Sequence, residues 1–272
     1  MKAPRFAYAR PSSMAQALAL LAGHKDEARV LAGGQSLVPM MNFRVAAPKV
    51  LVDINRIAAL AGIQVARDHV RIGALTRQVE LERSEDIARH LPLVASAMPH
   101  VAHPAIRNRG TFGGSCALAD PAAELPACAL ALEATFIVAG RKGERRVAAR
   151  DFFKGLYATA LKPGELLVAA EFPRSKPGYA SAFGELARRH GDYAIIGLAA
   201  FSGAERRLVF FNAGARPVLA AGASKQESLE KAKAALKDDL DPPADLYNSR
   251  ATKLHLAGVL LERAWTTLST SS

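Results

Sequence analysis

The sequence predicts an α+β protein built from more than one folding unit, and three observations lead there. Short apolar runs that stop on glycine or charge alternate with stretches of helical periodicity. Two glycine-rich segments, around residues 30–37 and 103–115, carry neither period. Finally, Pro173, Pro177 and Gly178 separate the bulk of the chain from three strand-like runs and two closing helices. With 272 residues, half of them hydrophobic, the chain is long enough to bury a sizeable core.

Taken in order, Ser12 or Ser13 opens a short helix with Ala15, Leu18 and Leu21 on one face. Lys2, Arg5 and Arg10 ahead of its apolar run give it a superficial likeness to a signal segment. Gln16 interrupts that run and a strand follows at once, so an ordinary helix is expected. "ARVLA" reads as a buried strand ending on Gly33-Gly34, and "KVLVDI" as a second strand after a connection containing Pro39 and Pro48. Together they make a helix–strand–loop–strand unit over about residues 1–55.

"HVRIGAL" is strand-like, and Thr76 is placed to cap the next helix, since its hydroxyl can accept from an orphan backbone N–H. "SEDIARHLPLVASAM" reads as one helix. Asp120-Pro121 reads as a helix start, with Asp as cap and Pro where a missing N–H costs nothing. "EATFIVAG" and "ELLVAAEFP" are strands that close the unit near residue 174. From 175 to 272, "YASAFGELARR", "YAIIGLAAFS" and "RRLVFFNAG" predict an antiparallel sheet. The final helix carries Leu254, Ala257, Leu261, Ala264, Trp265 and Leu268 at helical spacing.

Composition narrows the function. No apolar run approaches the ~20 residues that span a bilayer, so no membrane insertion is expected. The net charge of +11 is spread along the chain, aromatics are few and no nucleic-acid motif accompanies it. A solvated basic surface, or one that docks an acidic partner protein, fits better than nucleic-acid binding. The two cysteines, Cys116 and Cys128, form no CxxC pair and cannot hold an iron–sulfur cluster. They read as small buried thiols of a protein in a reducing, cytoplasmic compartment.

The glycine pairs carry the chemistry. Glycine admits φ > 0 and lets a ligand approach the main chain, and successive N–H groups in such turns form an anion-binding concavity. Ser36, Thr111 and Ser115 add hydroxyls beside "AGGQS" and "GTFGGS". Neither loop matches GxxxxGKS/T or a strand-to-helix GxGxxG, which argues against P-loop and Rossmann sites. Two such loops suggest a pyrophosphate cradled from two sides, although each alone is also explained by a tight turn.

The strings "AGGQSLVPMMNFR", "LVDINRI", "IGALTR", "HPAIRNRGTFGGSCALADPAAELPA" and "ELARRHGDYAIIGLA", in this order, resemble the FAD-binding medium subunit of molybdenum hydroxylases, the xanthine dehydrogenase and carbon monoxide dehydrogenase group. The resemblance implies a flavin domain of the vanillyl-alcohol-oxidase (PCMH) type over residues 1–174, in subdomains of about 1–55 and 56–174. A C-terminal domain like that of the carbon monoxide dehydrogenase flavoprotein covers 175–272. It places FAD between the subdomains. Val30, Leu31, Ala32, Gly33, Gly34, Gln35, Ser36 and Leu37 would wrap the pyrophosphate from one side, and Thr111, Phe112, Gly113, Gly114 and Ser115 from the other.

By the same resemblance Val101, Ala102, His103 and Ile106 lie along the flavin or its ribityl chain, while Asn108 and Gly110 shape the turn. Glu124 stands where the family usually carries Asp, as acceptor for a cofactor hydroxyl. Leu167 is expected near the adenine or the ring, and Tyr193 near the isoalloxazine. Some members carry a lysine shortly after the aromatic that matches Phe183; here Gly184 follows. Plainer readings stand beside these. Glu124 also suits a helix first turn, Tyr193 ordinary sheet packing, and Arg188, Arg189 and Asp192 a structural ion-pair network.

The resemblance further implies partners: a large subunit with the molybdenum cofactor and a small subunit with 2Fe–2S iron–sulfur clusters, in a heterotrimeric unit. Electrons would pass from a cluster to FAD and on to an external acceptor, so no catalytic residue or metal ligand is expected on this chain. A self-sufficient flavin oxidase or dehydrogenase, and a flavin-free docking module, are the competing expectations. Substrate and acceptor stay open at this stage.

Overall fold

The computed structural model describes residues 2–269 and folds them around three apolar cores. The first unit is a three-stranded parallel sheet. Strands β1 (Ala7–Ala9) and β2 (Ala28–Leu31) flank β3 (Val50–Asp53), which is buried along its whole length. The helix Met14–His24 packs Ala17 and Leu21 onto this sheet, and Ser13 caps it by accepting from Gln16 N at 3.3 Å, as its sequence predicts. The β2–β3 connection is not an extended loop, because it contains the short helix Leu37–Asn42. Pro39 falls in the first turn of that helix, where a missing N–H breaks no helical hydrogen bond.

The middle unit is a five-stranded antiparallel sheet. It contains β4 (Ile63–Val65), β5 (His69–Gly73), β6 (Thr135–Gly140) and β7 (Gly143–Ala148). After the small hairpin of β8 (Phe153–Gly155) and β9 (Ala158–Thr159), β10 (Leu166–Pro173) returns to the sheet centre, giving the order β4-β5-β10-β6-β7. One face of the sheet packs on the first unit through Ile137, Ala139, Leu166 and Val168. The other face contributes Val70, Ile72, Phe136 and Phe172 to the largest core.

Three local expectations need correction. Thr76 does not cap the next helix; its hydroxyl bridges Gly62 N and O, both at 3.0 Å, and Glu80 reaches back to Arg77 N at 2.7 Å instead. The segment read as one helix is two, Glu85–His90 and Pro92–Ala97, because Pro92 cannot continue the first. Asp120 does not cap a helix either. It accepts from Ala122 N at 2.9 Å in a turn, and the helix starts later, at Glu124–Ala131.

Strands β11 (Ala180–Ala187), β12 (Ala194–Ser202), β13 (Arg206–Phe211) and β14 (Val218–Leu219) form the antiparallel C-terminal sheet that the sequence predicts. Its alternation is read on both faces. Ile196, Leu198, Ala200, Leu208 and Phe210 pack under the helices Leu229–Asp239 and Arg250–Ser269. Ala199, Phe201, Val209 and Phe211 turn the other way, onto the core shared with the middle unit. No described helix is long and apolar enough to cross a membrane.

Candidate functional site

The first glycine loop leaves the end of β2, where Val30 and Leu31 are partly buried, and runs through Ala32 to Ser36 before the helix that starts at Leu37. Gly34 sits at φ +74, the left-handed region that favours glycine. The loop's carbonyls are used internally: Gly33 O accepts from Gln35 Nε2 at 3.0 Å and Gly34 O from Val38 N at 3.1 Å. Its amides are not. The backbone N–H groups of Gly33, Gly34, Gln35 and Ser36 donate to no acceptor among the described residues. Four consecutive amides in that state are the donor set an anionic oxygen cluster requires.

The second loop meets the first. A Cβ on Gly33 would stand 2.9 Å from Gly110 Cα, and inside contact distance of Arg109 O, so only glycine lets the two backbones touch. A polar clasp fixes that contact. Asn55 Nδ2 donates to Ala32 O at 2.9 Å, Arg77 donates to Asn55 Oδ1 at 2.7 Å, and the same guanidinium donates to Arg109 O. Asp53 orients Asn55, accepting from its backbone N–H at 2.9 Å, and takes the Tyr8 hydroxyl as well. Burial works against the Asp53 carboxylate, but the hydrogen bonds from Tyr8 and Asn55 outweigh it and hold the group below its usual range.

Beyond Gly110 the chain is spoken for. Phe112 N donates to Thr76 O at 2.9 Å, Gly113 N to Ala74 O at 2.8 Å, Gly114 N to the Thr111 hydroxyl at 3.1 Å, and Ser115 N to Thr111 O at 3.2 Å. This corrects the reasoning from sequence that both glycine pairs free their amides for an anion. Gly113 is glycine because a Cβ there would lie 2.7 Å from Ala74 Cα, where the helix Phe112–Leu118 packs on the end of β5. The Phe112 ring is fully buried against Phe172, with centroids 5.8 Å apart. What this segment presents is the half-buried Ser115 and the contact edge at Gly110 and Thr111.

Residues 101–108 form a further wall. Arg107 is buried and forks onto Glu82 at 2.9 and 2.8 Å, while its NH1 donates to Val101 O at 2.9 Å and Ala102 O at 3.2 Å. That grip holds Ala102 at φ +46, an uncommon conformation for a residue with a Cβ. Val101 is buried, Ile106 half-buried, and His103 and Asn108 are exposed. The loop after β11 lies against this wall, since a Cβ on Gly191 would be 2.6 Å from His103 Nδ1 and 2.7 Å from Ala102 O. It carries Tyr193, 73% exposed and within electrostatic reach of Asp120 and Glu124.

Glu124, first residue of its helix, is buried. Burial pushes its carboxyl up to about 7, with the charge of Glu185 adding to the rise and His100 opposing it. Tyr193, Glu124 and the 101–106 wall are therefore brought together, as are Val30–Leu37 with Gly110 and Thr111. Leu167 is not among them by its side chain, which is 3% exposed and packed in the main core at a bulge of β10. The expected ion-pair network of Arg188, Arg189 and Asp192 is not formed among the described residues: all three are exposed, and Arg188 instead lies 4.7 Å over the Tyr247 ring. Cys116 and Cys128 are buried free thiols, as predicted.

Asn55, Arg77 and Arg107 hold the site in shape, and sequence reasoning passed them over. Their only signal is position, Asn55 and Arg77 just beyond strand ends and Arg107 at the end of a short helix ahead of the glycine turn, which no periodicity detects.

The chain resembles known proteins along its length. Residues 4–175 match the model of the "FAD binding domain in molybdopterin dehydrogenase". The chain is 38% identical to the carbon monoxide dehydrogenase medium chain of Hydrogenophaga pseudoflava, over 96% of each chain. It is 47% identical to the 6-hydroxypseudooxynicotine dehydrogenase complex subunit alpha of Paenarthrobacter nicotinovorans, over 73% of this chain and 67% of that one. Among solved structures, carbon monoxide dehydrogenase from Hydrogenophaga pseudoflava superposes with a TM-score of 0.95 at 36% identity, covering 100% of this chain and 99% of that one. Quinoline 2-oxidoreductase from Pseudomonas putida 86 gives 0.91 at 34%, with the same coverage. With the domain match over residues 4–175 and carbon monoxide dehydrogenase relatives along nearly the whole chain, it belongs to the molybdenum hydroxylase family as one of its FAD-binding oxidoreductase subunits.

Proposed function

We propose that this chain is the electron-transfer subunit of a molybdenum hydroxylase. It accepts electrons from iron–sulfur clusters on a small partner subunit and passes them to an external acceptor, while a large partner subunit carries the molybdenum cofactor and the substrate pocket. The observation that carries the reading is the run of four amides, Gly33 to Ser36, without a protein acceptor among the described residues, set beside a second loop that touches it. In this reading those amides and the Ser36 and Ser115 hydroxyls hold the FAD pyrophosphate. Val101, Ala102, His103 and Ile106 line the flavin and ribityl chain, Glu124 meets a cofactor hydroxyl, and Tyr193 covers an exposed ring edge.

Bound FAD supplies the redox chemistry; the protein binds it, orients it and excludes water from one side. The residue 1–174 unit holds the cofactor and the 175–272 unit closes one end. The two buried free thiols suit a cytoplasmic enzyme.

Rapid mixing tests the proposal. The FAD-loaded chain should be bleached by a reduced iron–sulfur partner subunit, and should stay oxidised when an aldehyde, a purine or an N-heteroaromatic is added to it alone. Bleaching by such a substrate without partners would make it a self-sufficient dehydrogenase instead.

A further inference from the structure

Where the middle and C-terminal units meet, a buried carboxyl group contacts a histidine, and a second buried carboxyl group lies within electrostatic reach of both. Glu185 lies on β11, with its side chain 3% exposed and Oε1 3.5 Å from His100 Nδ1. Its other oxygen, Oε2, has no hydrogen-bond partner among the described residues. The alternation of β11 aims Glu185 and Phe183 at the middle unit, whereas a side chain at Gly184 would meet Leu260 of the last helix. Phe183 packs on the His100 ring at 5.2 Å, which fixes the imidazole over this seam. Glu124 enters from the helix Glu124–Ala131 and is buried too. Burial and the like charge of Glu185 each favour the neutral form of Glu124.

We propose that Glu124, Glu185 and His100 form a proton-holding site that serves the redox group beside them. The proposal rests on the placement of FAD along residues 101–106 and Tyr193. Electrons arriving singly from an iron–sulfur donor bring negative charge, and protons must follow it. With FAD bound there, Glu124 would give its carboxyl proton to the flavin as it takes up electrons, leaving a carboxylate to be re-protonated. His100, charged against Glu185, is the next donor, and solvent restores each proton through the exposed side of His100 and through His190, whose ring lies 5.9 Å away in an exposed loop. The other groups facing the site are Asp120 and Tyr193, and Cys128 on the helix of Glu124 itself. Burial, reinforced by Glu185, sets the Glu124 carboxyl near 7, where it can both hold and release a proton.

Infrared difference spectra of the FAD-free chain provide the first readout. A protonated-carboxyl band should titrate away near pH 7 and be missing in Glu124→Gln. Glu185→Gln should lower its midpoint by about one pH unit, by removing a like charge, and His100→Gln should raise it. The second readout is the flavin midpoint potential against pH in the FAD-loaded chain. Its slope should change at the infrared midpoint, and Glu185→Gln should move that break the same way. No carboxyl titration between pH 5 and 8, or a break that ignores Glu185→Gln, overturns the proposal. A folded chain that titrates but takes up no FAD keeps the proton site and overturns the FAD reading. A chain that takes up FAD and does not titrate does the reverse.

Discussion

Replacing Gly33 with alanine puts a methyl group where two loop backbones touch, 2.9 Å from Gly110 Cα and 3.1 Å from the carbonyl carbon of Arg109. Carbon atoms in contact prefer about 3.5–4.0 Å, so the loops must part by more than half an ångström. Both sides are main chain, so no rotamer change relieves the clash. Overpacking of this kind costs ~1–3 kcal/mol. Parting the loops also strains the bonds from Asn55 to Ala32 O and from Arg77 to Arg109 O, each worth about 1 kcal/mol.

A total near 3 kcal/mol corresponds to a fall in Tm of roughly 6–12 °C for a chain of this size. The measurement is thermal unfolding of the FAD-free chain, followed by FAD titration with quenching of flavin fluorescence. Affinity should drop at least about tenfold, because the widened loops no longer converge. Gly23→Ala is the control: its Cβ meets nothing within 4 Å in the helix Met14–His24, and it should stabilise by up to ~1 kcal/mol. A Gly33→Ala protein with wild-type Tm and wild-type FAD affinity would refute the two-wall reasoning.

The clasp itself makes a second prediction. Asn55→Ala and Arg77→Ala should each weaken FAD binding by about five- to tenfold, and the double variant by less than the product, because both cut one network. In the C-terminal unit, Lys253 is 1% exposed and pairs with Asp245 at 2.9 Å. Asp245→Ala should therefore destabilise by up to about 3 kcal/mol, Asp245 being 40% exposed, whereas Lys253→Met should come close to neutral. The hydrogen bond from Lys253 holds the Asp245 carboxyl well below its ordinary value. Its stabilisation is thus complete above the unfolded pKa of about 4 and lost as pH falls through the lower folded one, a slope that acid unfolding of Asp245→Asn should lack. Burial pushes both thiols up, so the native chain at pH 8 should leave a thiol reagent unreacted and release two equivalents only on unfolding.

Elements whose own residues carry a period were legible in the sequence. Strands β2, β3, β6, β10, β12 and β13 hold apolar runs, β5 alternates buried Val70 and Ile72 with polar residues, and the two-faced burial of Ile196–Phe201 follows from simple alternation. The charged "GERRVA" of β7 was not legible, because its pairing with β6 uses backbone groups at a sheet edge where side chains are free to be polar. Pro39 concealed a helix, since its effect depends on whether it falls in the first turn. At the site, the glycine loops were visible but the division of labour between them was not. Gly33 and Gly113 are glycine for close packing against Gly110 and Ala74, a tertiary fact that no local pattern encodes. The same holds for Thr76, which capped a helix in expectation and bridges Gly62 in the fold.

The most direct test of the central claim is the visible absorption spectrum of the purified chain, with the released flavin identified after denaturation. Oxidised-flavin bands and one FAD per chain are the predicted result, reached either on purification or after incubation with FAD. A folded chain that stays colourless in excess FAD would contradict it, and would leave the free amides of Gly33 to Ser36 without the pyrophosphate they are proposed to hold.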